Sequence, residues 1–201
     1  MLRKIKTVLC IKFALLCMVI ASLLCIDAMD TYAADDLNRA VSCSFLVPSD
    51  FVPGNEKGLF INRNTPMESS TIKYSFYDNG NDKILTNRER LELEKSGEKQ
   101  IVDASKNLTK QIYEDQMTSA YNKEYGQDVG FYVSSFENIS IDGFPGYKIV
   151  SSYQLAGEET VHQTVYIVLS KYRMFTIAYQ RAEDDDCQEL FEASAKTIHV
   201  K

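Results

Sequence analysis

The sequence predicts an α+β domain built on a mostly antiparallel sheet covered by helices on both faces. Three observations lead there. From residue 41 onward, several runs alternate apolar and polar side chains with period 2 and are separated by Gly, Pro, Asn or Asp, which marks strands and turns. Two other stretches carry apolar residues at helical spacing. Two of the later strands are apolar on both sides, at Tyr166 and Val168 and at Phe175, Ile177 and Tyr179. Such strands need cover on both faces of the sheet.

The N-terminus reads as an export signal. Arg3, Lys4, Lys6 and Lys12 precede any acidic residue, and an apolar run follows from Phe13 to Ile26. That run suits a signal-peptide core and is short of the about 20 residues of a membrane span. Small residues then mark cleavage after Ala33 or Ala34. Residues 1–34 are therefore expected to be a signal peptide, 35–40 a short lead, and 41–201 a single domain. An uncleaved anchor is the alternative, helped by Val8, Leu9 and Ile11, and would be the chain's only membrane contact. Cys10, Cys17 and Cys25 each follow a leucine, where lipid attachment needs a small residue, which argues against a lipoprotein anchor. The expected place of work is secreted or extracytoplasmic, at the cell surface.

Four of the 22 basic and two of the 28 acidic residues lie in residues 1–34, so the remaining chain carries a net charge of −8. A domain this acidic repels nucleic acid and anionic membrane surfaces. Its length of about 167 residues is that of one domain.

The elements follow in order. Residues 41–47 place Cys43, Phe45 and Val47 on one face of a strand that Pro48 ends. A turn-rich loop leads to a short strand at 58–62, and Ile72, Tyr74 and Phe76 alternate along a third that stops at Asn79-Gly80. Thr86 and Glu89 have capping-box spacing for a short helix to about Lys95. A longer helix is expected over 104–125, with Asp103 as its cap, a stripe of Leu108, Ile112, Met117, Ala120 and Tyr121, and Gly126 closing it in the left-handed conformation. A four-strand meander follows: 131–141 with a bulge near Ser135, 147–155, 160–170 and 172–180. The turn around Asp142, Gly143, Pro145 and Gly146 joins the first two, and Tyr147, Ile149, Ser151, Tyr153 and Leu155 point inward. The acidic run 183–186 should open the last helix, where carboxylates suit the positive end of the dipole, with Cys187, Leu190, Phe191 and Ser194 buried. A final strand over 197–201 returns to the sheet.

Three segments, SFLVPSDF at 44–51, IDGFPGYKIVSSY at 141–153 and FEASAKTIHV at 191–200, set in this order of elements, resemble the PsbP-like family. The resemblance spans roughly residues 41–201. It implies an α/β/α sandwich, the fold of a photosystem II extrinsic subunit, of a nuclear-import regulator of Ran and of small exported bacterial proteins. The shared motifs are structural, and none marks a reacting group, so no binding residue is carried over.

Chemistry-bearing residues are sparse. Cys43 and Cys187 are the two cysteines beyond the signal segment. Either they form a disulfide tying the first strand to the last helix, as an oxidising compartment favours, or they are two buried free thiols. His162 and His199 are the only histidines. His162 lies near Glu158 and Glu159, too few groups to define a metal site. No G-x-S-x-G elbow, G-x-G-x-x-G loop or Walker loop is present. Asn107 and Asn138 open glycosylation sequons. The run 183–186 lacks the spacing of a calcium loop. No catalytic residue, metal ligand or cofactor is assigned. The segment 48–67 is the candidate recognition loop, displaying Phe51, Leu59 and Phe60; the competing reading is that these side chains cap the core. The function expected is an exported, non-enzymatic binding or accessory module for an unidentified protein or small ligand. A hydrolase with a dispersed site and a structural component of an envelope or spore layer are the alternatives.

Overall fold

The computed structural model describes residues 42–65, 67–78, 95, 108–170 and 173–201. The segment 1–34 expected to be a signal peptide, the expected Asn79-Gly80 turn, the expected Thr86 capping box and Asp103 lie outside them. The described residues form strands β1 (Cys43–Ser44), β2 (Phe51–Pro53), β3 (Leu59–Asn62) and β4 (Thr71–Asp78), helix α1 (Lys110–Tyr125), strands β5 (Tyr132–Ile141), β6 (Phe144–Gln154), β7 (Thr160–Leu169) and β8 (Arg173–Ala182), helix α2 (Gln188–Ala195) and β9 (His199–Val200). The class is α+β. Seven strands pair antiparallel in the order β2-β3-β4-β8-β7-β6-β5, and β1 pairs with β9 in a separate two-stranded ladder.

The meander β5 to β8 is as the alternation predicts, including a register shift between Val133 and Ser135. The turn is shorter than expected. Asp142 (φ 50°) and Gly143 (φ 84°) make a two-residue connection, and Pro145 and Gly146 already belong to β6. Positive φ at both central residues is what a tight hairpin requires, and Asp-Gly supplies it. Tyr147, Ile149, Ser151 and Tyr153 are buried on one face. They join Val133, Val165, Ile167 and Ala178 in a core that also contains Tyr113, Met117 and Tyr121 of α1. A second core gathers Phe51, Ile72, Ile177 and Tyr179 with Cys187 and Phe191.

Several boundaries differ from the sequence expectation. Helix α1 starts at Lys110, because the Thr109 side chain accepts from the Ile112 N–H (3.2 Å) and ends the extended backbone there. Ile112, expected in the apolar stripe, is exposed; Leu108, Tyr113, Met117 and Tyr121 are buried. Gly126 closes the helix at φ 69°, as expected. The first strand is only Cys43–Ser44, with Ser42 and Lys201 exchanging backbone hydrogen bonds at its outer end. Beyond Ser44 the Leu46 N–H donates to Thr197 Oγ1 (2.8 Å) and the Leu46 carbonyl accepts from Ser194 Oγ (2.6 Å), so side chains replace a strand partner. For the same reason the last strand shrinks to His199–Val200 and pairs with β1 rather than with the main sheet.

The acidic run does not open α2 either. The helix begins at Gln188, and Asp185 is 4% exposed in the turn before it. Its carboxylate accepts from the Ser69 N–H, the Ser70 hydroxyl and the Ala182 N–H (2.9 to 3.2 Å), stapling the β8–α2 turn to the start of β4. A buried carboxylate persists because charge-assisted hydrogen bonds replace its water.

Candidate functional site

Cross-strand register lines up the side chains of the main sheet in rows. One row runs Tyr132, Ser152, His162, Arg181; the next Ser135, Val150, Thr164, Tyr179; the third Glu137, Lys148, Tyr166, Ile177. All three share a face, since they alternate with the buried set. Burial along them is uneven. Tyr179 and Ile177 on β8 are fully buried, whereas the members on β5, β6 and β7 are half-buried or exposed. The cause is α2. Phe191 packs on Tyr179 (5.1 Å between ring centroids) and Ser194 Oγ hydrogen-bonds the Tyr179 hydroxyl (3.0 Å). Tyr166 stands edge-on to Tyr179 (6.0 Å) at the border. Beyond it these rows form a mixed polar and aromatic surface three strands wide, half-buried to exposed and without a covering helix among the described residues.

Several of its charged groups have partners. His162 Nε2 meets Glu183 Oε2 at 2.5 Å, and that bond holds the Glu183 carboxyl below its usual range. Arg181 donates to Gln188 Oε1 and to the carbonyls of Ala182 and Glu183. Burial raises the Tyr166 hydroxyl, with Glu192 and Glu137 adding to the effect, so the phenol stays protonated. Lys110 Nζ lies over the Tyr132 ring at 5.3 Å.

The opposite face carries a buried polar row. Thr71, Gln180, Gln163 and Ser151 follow one another across β4, β8, β7 and β6, each at most 2% exposed. Gln163 Nε2 donates to the Tyr121 hydroxyl (2.7 Å) and to Gln180 Oε1 (2.8 Å). Thr71 Oγ1, Ser151 Oγ and Gln163 Oε1 have no hydrogen-bond partner among the described residues. Unmatched buried polar atoms are uncommon and destabilising.

The residues singled out from the sequence fall in different places. Cys43 and Cys187 are free thiols, so the disulfide reading is corrected. Cys187 Sγ donates to Ser70 Oγ (3.0 Å), part of the Asp185 network, while Cys43 sits in the β1–β9 ladder opposite Val200. Burial pushes both thiols up to about 11. The segment 48–67 is largely a hairpin, β2–β3, rather than an open loop. Phe51 is 5% and Leu59 2% exposed, and the Phe51 ring packs tilted against Phe191 (5.5 Å between centroids); neither presents itself to a partner. Phe60 is half-buried, edge-on to Phe45. His162 is paired with Glu183, not with the turn carboxylates Glu158 and Glu159. His199 Nδ1 lies 3.3 Å from Asp142 Oδ2. Among the described residues no three His, Cys, Asp or Glu side chains are placed to hold a metal.

Sequence reading missed the open surface, although its signal is present. Lys148, Ser152, His162 and Thr164 occupy the positions that alternate with the core set. Polar residues there mark strands with one solvated face.

No protein-family model and no curated protein sequence matches the chain. Among solved structures, cyanobacterial PsbP (CyanoP) from Synechocystis is similar to it, with a TM-score of 0.51 at 16% identity, over 87% of this chain and 98% of that one. The fold is PsbP-like. LpqN of Mycobacterium tuberculosis, described as involved in cell envelope biogenesis, aligns over 83% of this chain and 86% of its own at 16% identity, with a TM-score of 0.41. At 16% identity the likeness to cyanobacterial PsbP carries the fold and nothing about the site. On this PsbP-like scaffold the open surface of β5, β6 and β7 is therefore argued from its own residues.

Proposed function

We propose that this chain is an exported, non-enzymatic binding or accessory module of PsbP-like fold, and that its contact surface is the open face of β5, β6 and β7. The observation that carries this reading is the fall in burial along the rows from β8 to β5. The antiparallel sheet there presents Tyr132, Val150, Thr164 and Tyr166 among charged groups. Aromatic and small polar groups on a fixed backbone suit protein recognition at low cost in ordering entropy. The reading includes two helices covering opposite faces of the sheet. Contacts of Tyr121 with Gln163 and of Ser194 with Tyr179 support it, because residues 163 and 179 lie in opposite side-chain sets. The basic, then apolar, N-terminal segment supports work outside the cytoplasm.

The test is affinity capture from the native host with lysine crosslinking and mass spectrometry. A reproducible partner crosslinked through Lys148, and lost on Thr164→Arg, is the expected result. No partner above background, or crosslinks confined to other surfaces, would overturn the reading.

A hydrolase has one observation in its favour: Ser152 lies directly across from His162, which is bound to Glu183. The order nucleophile, base, carboxylate is that of a serine hydrolase. No hydrogen bond joins Ser152 to His162 among the described residues, which ranks this reading second. Labelling by a fluorophosphonate probe that disappears in Ser152→Ala would promote it.

A further inference from the structure

The two edges of the seven-stranded sheet are protected very differently. At one edge β2 is three residues long and ends at Pro53. Short length and proline are common guards against strand addition. At the other edge β5 has ten residues, no proline and a single charged residue, Glu137. Its first turn of chain is covered: the Val133 N–H donates to Glu114 Oε2 of α1 (2.8 Å), and Lys110 lies over Tyr132. From Ser135 to Ile141 no strand pairs with the outer side of β5 among the described residues. The bulge between Val133 and Ser135, itself an edge guard, lies at the start of this stretch and leaves the rest of it regular. The hairpin end is fixed because Asp142 accepts from the Val200 N–H (2.8 Å), tying it to β9.

We propose that residues 135–141 of β5 pair antiparallel with the same residues of a second copy of this chain, joining two sheets edge to edge. Symmetry limits the register. A two-fold axis perpendicular to the sheet keeps each side chain on its own face, so it must pass through a residue pair. Centred on Glu137, it would set two carboxylates opposite each other, which destabilises a pair. Centred on Ile139, it would shorten the ladder, since Asp142 begins the turn. Centred on Asn138, it gives the longest ladder, with Phe136 opposite Ser140 and Glu137 opposite Ile139. Each Glu137 then stays beside Lys148, its partner on β6 of its own chain. The edge contact is made by the backbone of β5 and the proposed face by side chains of β5, β6 and β7, and the variants separate the two: Thr164→Arg removes partner capture, Ile139→Lys removes self-pairing.

The test uses the full chain. Sedimentation velocity is expected to show a concentration-dependent dimer that Ile139→Lys makes monomeric, lysine being a natural edge guard. Under mild oxidation Asn138→Cys is expected to give a disulfide to itself, located by peptide mapping, because antiparallel partners fall within bridging range. Ser140→Cys should bridge only to Phe136→Cys. A wild-type chain monomeric at every concentration, or a dimer unchanged by Ile139→Lys with no Asn138→Cys bridge, would overturn the proposal.

Discussion

At the residue scale, close backbone approach makes single glycines matter. Gly58 has φ 77°, and a Cβ there would lie 2.2 Å from the Tyr74 carbonyl oxygen. The Gly58 carbonyl also accepts from the Tyr74 N–H (2.7 Å), so β3 and β4 cannot part without losing a bond. Gly58→Ala is therefore expected to cost at least about 2 kcal/mol, from strained φ plus the clash, read as a lower urea midpoint. Gly157, also at positive φ (79°) but with nothing near its Cβ, should lose less in the same substitution. The thiols make a second prediction. Burial raises Cys43 and Cys187 from 9.0 to about 11, which means the folded state favours their protonated form. Stability from this source is complete below pH 9 and falls as pH rises toward 11. At pH 7.5 both thiols of the folded chain should resist iodoacetamide. Both should label in urea without reductant, which a disulfide would prevent.

At the scale of the element, caps set boundaries that periodicity leaves vague. The apolar spacing around Leu108 continues smoothly into α1, yet the helix begins only where Thr109 accepts the Ile112 N–H. Thr109→Ala is expected to destabilise by about 1 kcal/mol in urea unfolding, with Thr109→Ser retaining most of the stability. The first and last strands teach the same lesson from the other side. Residues 41–47 alternate as a strand should, and Phe45 and Val47 do pack against the core. Ladder pairing stops at Ser44 because hydroxyls of Ser194 and Thr197 satisfy Leu46 instead. Alternation reports which side a residue faces, not whether a strand lies beside it.

At the scale of the whole molecule, the two sheet faces are used differently. One face buries a polar row from Thr71 to Ser151, and three of its polar atoms are unmatched among the described residues. Ser151→Ala and Thr71→Val keep shape while removing such atoms, so each is expected to raise stability by about 1 kcal/mol. A loss instead would show that the hydroxyls are satisfied in solution. Gln163→Leu should go the other way by about 1 to 3 kcal/mol, since it leaves Gln180 Oε1 buried without its donor. The other face is covered by α2 at Tyr179 and by β9 at Val168 and Phe175, and among the described residues exposure rises from there toward β5.

The sequence by itself determined the α+β class, the meander with its bulge near Ser135, the closing role of Gly126 and the buried faces of β6 and α2. Each is written in local pattern: period, turn chemistry and the need of left-handed backbone for glycine. Tertiary structure alone decided what depends on neighbours distant in the chain. It paired His162 with Glu183 rather than Glu158 or Glu159 and kept Cys43 and Cys187 unbridged. It also turned Asp185 from a helix-dipole residue into a staple and buried Phe51 and Leu59. Period 2 marks two faces on every strand, and the seating of α2 on Tyr179 and of β9 on Val168 and Phe175 decides how far across the sheet one face is covered.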